Sequence, residues 1–285
     1  YRIYPNKEQE LLINKTFGCV RFVYNTILYA ANKFYEETGK NKIITPASLK
    51  SENQFLKEVD SLALSNAQLN VKRSFTNFFQ KRAKFPKFKS KKNNVKSYTT
   101  NCVNNSIRIE ENKYLVLPKL KKVKLKYHRE IPKDYKIKSV TLTNSNGNYY
   151  VSVLTEFEKE IQKMPSNDKV IGLDFSMSEL FVSSENQRAD YPRYFRMLEK
   201  KLKKLQKSLS RKVKFSKNWY KQKAKISKLH EYIKNCRRDF LHKLSKKLSK
   251  EYNAVVVEDL NMKGMSQALN FGKSVGDNGW GMFLR

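Results

Sequence analysis

The sequence predicts an α+β chain in two parts: an antiparallel β region interrupted by a long helical insert, then an α/β part that carries a basic helical hairpin. Three observations lead there. Apolar spacing is helical from about residue 7 to 80 and switches to period two from about 97 to 158. A polar linker, KMPSNDK at 163–169, follows. Beyond it, two apolar runs that end in acids, VIGLDF and AVVVED, flank two long helical patterns. A length of 285 residues suits about two domains, and 39% hydrophobic content is enough for real cores.

The elements follow in order. YRIYPN, at 1–6, alternates and stops at a Pro-Asn turn signal, so it is a short strand that must pair elsewhere in a sheet. Asn6 with Gln9 makes a capping-box pattern that opens a helix burying Leu12, Cys19, Val20, Val23 and Ile27. Helical spacing resumes after Pro46 and over 62–79, where Leu64, Val71, Phe75, Phe78 and Phe79 can share a face. Strands are expected through SIRIEENKYLVLP, KLKKVKLKYHREIP and IKSVTLTNSNGNYYVSVLTEFE, with Asn146-Gly147 as a hairpin turn. The boundaries are 1–6 for the first strand, 7–96 for the insert, 97–162 for the sheet or small barrel, and 163–285 for the last domain. In that domain strands are expected at 169–176 and 180–184. Leu198, Leu202, Leu205 and Leu209 stripe one helix, and Ile226, Leu229, Ile233, Cys236, Phe240, Leu244 and Leu248 stripe another. The two pair as an antiparallel hairpin.

Lys and Arg number 59 against 26 Asp and Glu, a net charge of +33. Charge of one sign on that scale repels itself unless a polyanion neutralises it, so nucleic acid is the leading partner and an anionic membrane surface the second. No apolar run reaches the eighteen residues of a membrane span, and no secretory or transit signal is visible. Cys19, Cys102 and Cys236 lie far apart without a CxxC pair, which argues against a disulfide framework or a zinc site and for a reducing cytosol. His128, His230 and His242 do not cluster, so they are not expected to be ligands or bases.

Two basic tracts are candidate nucleic-acid contacts. In QKRAKFPKFKSKK, Lys81, Arg82, Lys84, Lys87, Lys89, Lys91 and Lys92 surround Phe85 and Phe88, a mixture that can neutralise phosphates and stack on bases. The competing reading is a solvated loop whose two Phe tuck into the core. Between 193 and 250 there are 22 Lys or Arg against three acids, Glu199, Glu231 and Asp239. The candidates there are Lys200, Lys203, Lys204, Lys207, Arg211, Lys221, Lys225, Arg237 and Arg238, with Lys273 in the tail. That tail, GKSVGDNGWG, lacks phosphate-loop spacing and is expected to be a mobile loop with Trp280 in the core.

Asp174 and Glu258 each end an apolar strand, the place where α/β sheets build their sites. A continuous Val run implies a central strand buried on both faces. If the strands are neighbours, the two carboxylates suit hard Mg²⁺, which phosphodiester hydrolysis uses to activate water and stabilise the leaving oxygen. The structural alternative has Asp174 capping a turn and Asp259 N-capping a helix at LNMKG; Asp259 is read as that cap, which leaves Glu258 as the ligand candidate.

Several stretches resemble the TnpB family of transposon-encoded RNA-guided proteins, related to type V CRISPR effectors. They are YRIYPNKEQE, FGCVRFVYN, FPKFKSKK, HREIPKDYKIKSVTL, IGLDFSMSELFVSS, ADYPRYFR, SKLHEYIKNCRRDFLHKLS, VVVEDLNMKGMSQ and NFGKSVGDNGWGMF, spread over nearly the whole chain. The resemblance implies a wedge-type β-barrel with a helical recognition insert and an RNase H-like, RuvC-like α/β domain. It implies a guide RNA, one protein per guide, and a double-stranded DNA target read beside a short motif, in the bacterial cytosol and on the nucleoid. Asp174 falls on the family's first catalytic aspartate and Glu258 on its catalytic glutamate, the ligands of a two-Mg²⁺ site. The third aspartate, and a four-cysteine Zn²⁺ element before it, are expected beyond Arg285. Two activities stay open: a Mg²⁺-dependent RNA-guided DNA endonuclease, or a nuclease-deficient RNA-guided DNA-binding repressor. Non-specific nucleic-acid binding is the third.

Overall fold

The computed structural model describes residues 1–93, 95–160, 168–268 and 272–284, in two compact units, Tyr1–Glu160 and the chain from residue 161 onward. Apart from its last two residues, the expected linker at 163–169 lies outside the described residues. Among the described residues no helix is long and apolar enough to cross a membrane.

The first unit begins with β1 (Arg2–Tyr4), which pairs antiparallel with two strands far along the chain, β5 (Lys121–Lys126) and β7 (Asn148–Glu156). The isolated strand thus finds its partners in the later sheet, as expected. Helix α1 (Lys7–Thr38) opens on a reciprocal capping box: Asn6 Oδ1 accepts from the Gln9 amide at 2.8 Å, and Gln9 Oε1 accepts from the Asn6 amide at 3.0 Å. It ends at Gly39, where φ of 67° suits glycine. After α2 (Pro46–Glu52) and a 3₁₀ turn (Gln54–Lys57), Asp60 caps α3 (Ser61–Phe79) by accepting from the Leu62 amide.

The sheet is completed by β2 (Val95–Asn101), β3 (Arg108–Glu110), β4 (Tyr114–Leu117) and β6 (Lys136–Ser145). Its order is β2-β6-β7-β1-β5-β4-β3. The ladder is linear, with β2 and β3 at its ends, so among the described residues no strand pairing closes a barrel. Asn146 and Gly147 join β6 to β7 at φ of 51° and 81°, the two positive values that a primed hairpin turn requires. One core unites helices and sheet: Ile13, Val20, Val23, Ile27, Leu64 and Val71 pack with Leu115, Val123, Val140 and Leu142. On α3 Phe75 packs against this core, and the Phe79 ring meets those of Phe75 and Phe78. Leu64, Ala67 and Val71 are buried, while Phe79, at the C-terminal end of the helix, is 65% exposed.

In the second unit β8 (Val170–Phe175) lies between β9 (Phe181–Ser183), antiparallel, and β10 (Ala254–Val257), parallel. The crossover from β9 to β10 carries the expected hairpin, α4 (Tyr194–Ser210) and α5 (Lys217–Glu251). Leu202, Leu229 and Ile233 form its seam. Near the sheet, Leu241 and Leu248 of α5 join Ile171, Leu173 and Leu180 in a separate core. The burial expected for the Val run is corrected: β10 is an edge strand in the three-stranded sheet, and Val255, Val256 and Val257 are 40%, 60% and 39% exposed. An apolar run records a surface that can be covered, and no described element covers this one. The tail is also corrected. After α6 (Met262–Ala268), it forms α7 (Gly272–Asn278) and α8 (Trp280–Phe283), not a loop; Trp280 is fully buried, as expected.

Candidate metal centre and nucleic-acid interface

The parallel ladder of β8 and β10 pairs Ala254 with Val170 and runs to Val257 with Leu173. Asp174 and Glu258 are the next residues on the two chains, so neighbouring strands deliver both carboxylates at their C-terminal ends, about 5 Å apart at the backbone by ordinary strand spacing. Both are exposed, and both line one open hollow of about 570 Å³ floored by Gly172, Leu173, Val256 and Val257. Two carboxylates held side by side repel unless a cation sits between them, and their oxygens are hard donors of the kind Mg²⁺ prefers. Among the described residues no group of three or more His, Cys, Asp or Glu is placed to hold a metal.

The cap expected of Asp259 is corrected. The turn after β8 is closed by Ser176, whose Oγ accepts from the Glu179 amide at 3.3 Å. Helix α6 is capped by Asn261, whose Oδ1 accepts from the Gly264 amide at 3.0 Å, and Asp259 takes no part in that cap. Neither of these two bonds, among the described residues, uses Asp174 or Glu258.

The first basic tract is exposed throughout except at Pro86: Lys81, Arg82, Lys84, Lys87, Lys89, Lys91 and Lys92 all face solvent. Phe85 and Phe88 are 47% and 56% exposed, so the core-packing alternative does not hold for them. Phe85 makes edge contacts with Phe75 and Phe78 of α3, giving a ring cluster open on one side. The segment is anchored where Asn25 grips the Lys89 backbone twice: its Oδ1 accepts from the amide at 2.8 Å, and its Nδ2 donates to the carbonyl at 3.1 Å. Lys89 as a residue is exposed, yet its ammonium lies 4.1 Å over the Tyr24 ring, and that desolvation lowers its pKa. Arg21 and Lys96, which sequence reasoning missed, line a hollow of about 450 Å³ with Phe88, Lys89 and Lys91. They escaped because α1 and β2 meet there only in three dimensions.

On the hairpin Lys200, Lys203, Lys204, Lys207, Arg211, Lys221, Lys225 and Arg238 are exposed. Lys203 and Lys273 both bond Glu199, at 3.1 and 2.6 Å, which holds that carboxyl below the usual carboxylate range. Arg237, expected among the contact residues, is turned inward. Its side chain is only 16% exposed, and it donates to Asp277 Oδ1 at 3.3 Å and to the Tyr191 hydroxyl at 3.0 Å. The pattern of a basic helix face cannot distinguish a cation aimed at solvent from one turned in to meet a buried acid. Asp277 and Asn278, 3% and 4% exposed, were missed because Gly-Asp-Asn-Gly is a turn signature.

Two family models match the chain. One described as "Probable transposase" covers residues 151–269, which include β8, β10 and the hairpin. One described as "Helix-turn-helix domain" covers residues 1–40, which in this structure are β1 and one uninterrupted helix, α1, with its cap. An Escherichia coli K12 protein named "Putative RNA-guided DNA endonuclease InsQ" is 35% identical over 94% of this chain and 67% of its own length. A Streptomyces pristinaespiralis protein given the same description without the last word is 32% identical over 98% of this chain and 71% of its own. In three dimensions the chain is similar to a protein in a cryo-EM structure of a Cas12f1–sgRNA–target DNA complex, with a TM-score of 0.50, 11% identity, and coverage of 96% of this chain and 71% of that one. Identity over nearly the whole sequence, together with the shared fold, shows that this chain belongs to the TnpB family.

Proposed function

We propose that this chain is an RNA-guided, Mg²⁺-dependent DNA endonuclease in which Asp174 and Glu258 hold the metal. The observation that carries the reading is the register of β8 against β10, which sets the two acids side by side in a chain of net charge +33. The first unit is read as the wedge and recognition parts, and the second as the RuvC-like part. Sequence choice belongs to pairing between guide RNA and target strand, while the protein reads a short duplex motif and the backbone.

Mg²⁺, when bound, activates water and stabilises the leaving oxygen. The protein's own residues do the rest. Exposed cations on α4 and α5 draw the phosphate backbone in and release its counterions. Phe85 and Phe88 offer ring faces to unpaired bases. The backbones of Asp174 and Glu258 are ordered because each follows a ladder-paired residue, so only their side chains must be ordered when metal and substrate arrive.

The test uses the full-length protein co-expressed with its RNA, Mg²⁺ and a labelled duplex matching the guide. Cleavage that is lost in Asp174→Ala while RNA binding is kept supports the endonuclease. Loss of RNA binding in that variant makes Asp174 structural. Guide-dependent retention of uncut DNA at every Mg²⁺ concentration makes the protein the programmable binder of the second reading. Binding that ignores guide sequence sinks both.

A further inference from the structure

In the four consecutive residues Asp277-Asn278-Gly279-Trp280, all but Gly279 tie the segment to another part of the second unit. The Asp277 carboxylate is 3% exposed; Oδ1 accepts from the Phe195 amide at 3.1 Å and from Arg237, and Oδ2 accepts from the Arg196 amide at 3.3 Å. It therefore caps the first turn of α4 from 82 residues away in sequence. Asn278 donates through Nδ2 to the Ser176 carbonyl at 2.9 Å and to the Glu179 carbonyl at 2.5 Å, the two ends of the turn that leaves β8 just after Asp174. Gly279 has φ of 81°, and a Cβ there would stand 2.9 Å from Arg237 Cδ, so a side chain would strain the backbone and press on Arg237. Trp280 packs 5.9 Å from the ring of Phe175, the residue after Asp174.

Simple stitching would not need these groups. Among the described residues, buried Asn278 Oδ1 and Trp280 Nε1 have no hydrogen-bond partner, an arrangement that costs stability where apolar packing would not. Costs of that kind are tolerated where geometry matters more than stability.

We propose that Asp277–Trp280 is a positioning element for the Asp174–Glu258 pair: it fixes the turn behind Asp174 to the root of the basic α4–α5 hairpin, so that nucleic acid on the hairpin is presented to the carboxylates in register. The inference rests on the endonuclease reading. Asn278 is a positioning residue, since it reaches the carboxylates only through the 176–179 turn.

The experiment compares Asn278→Ala with the parent, both full length and bound to guide RNA, on a labelled target across a Mg²⁺ titration. Asn278→Ala is expected to raise the Mg²⁺ concentration for half-maximal cleavage about tenfold. Target Kd stays near the parental value, Tm falls by only a few degrees and stays above the assay temperature, and excess Mg²⁺ restores most of the rate. An unchanged Mg²⁺ response overturns the proposal, as does a loss of rate that merely tracks a loss of Tm. Should Asn278→Ala melt below the assay temperature, Asn278→Ser, which can still donate one hydrogen bond, is judged by the same two criteria. If the parent does not cleave, Mn²⁺ affinity measured by electron paramagnetic resonance replaces the rate. Asp174-dependent Mn²⁺ binding that weakens in Asn278→Ala supports the positioning role, and binding that does not weaken overturns it. A parent that neither cleaves nor binds Mn²⁺ overturns the metal-site reading itself, and the inference with it.

Discussion

Leu173 and Val257 are direct partners in a parallel ladder, and the residue after each is a carboxylate. If Asp174 and Glu258 hold metal together, removing either removes the site. Asp174→Ala and Glu258→Ala should each slow cleavage by roughly 10³-fold or more, and the double variant should be no worse than the poorer single one, since groups acting as a unit are non-additive. EDTA should stop the parent reversibly. Single-turnover rates check this; additive losses would mean the acids act separately.

Salt dependence separates hairpin lysines by their present partners. Lys204 and Lys207 are exposed, whereas Lys203 bonds Glu199 at 3.1 Å. Each phosphate contact contributes about 0.7–0.9 to the slope of log K against log salt. Lys204→Ala with Lys207→Ala should therefore flatten the slope by roughly 1–2, and Lys203→Ala by less. Filter binding between low and moderate salt measures it, and equal slopes would move the interface off this face of α4.

Arg237 should matter for stability ahead of binding. It meets Asp277, 3% exposed, and removing one partner of a buried pair leaves the other charge uncompensated. Arg237→Ala should cost about 3 kcal/mol, seen as a lowered Tm of the second unit, with the salt slope unchanged. Arg238→Ala, on the exposed side, should show the opposite pattern. Reversal of the two results would restore Arg237 as a contact residue.

Phe85 is braced by Phe75 and Phe78 and still 47% exposed. Phe85→Ala should weaken guide-RNA or single-strand binding by about 1–3 kcal/mol if a base stacks there, whereas Phe85→Tyr should keep it. Unchanged affinity in Phe85→Ala would make the ring cluster purely structural.

Burial, reinforced by Asp60, holds the Tyr98 phenol well above the ordinary tyrosine value. A group whose folded pKa is raised gives stability that is complete below its unfolded pKa and is lost as pH climbs toward the folded one. From about pH 10 upward this residue should therefore cost about 1.4 kcal/mol of stability per pH unit. Tyr98→Phe should remove that slope. Denaturant unfolding of the two proteins between pH 9 and 11.5 checks it; parallel curves would show that the phenol ionises as readily folded as unfolded.

Local rules made much of the first unit readable. The capping box at Asn6 and Gln9, the Asn146-Gly147 turn and the need of YRIYP for a sheet depend on neighbours in sequence or on a backbone that cannot stay unpaired, and each is realised. The hairpin seam of Leu202, Leu229 and Ile233 was readable for the same reason, since one apolar stripe needs another. Composition alone announced a polyanion partner, because +33 is a property of the whole chain that no fold alters.

What only the tertiary structure decided are relations between distant residues. Nothing local makes Glu258 the neighbour of Asp174; the crossover from β9 through the hairpin to β10 does, by placing the two strands in register. Likewise Arg237 looks like its exposed neighbour Arg238 until Asp277 arrives from 40 residues away. GDNGW is a turn by its letters and a buried clamp in the fold. Sequence fixes which groups are present and the short-range geometry of the backbone, whereas charge pairing and burial depend on distance in space, which is set only once the chain has packed.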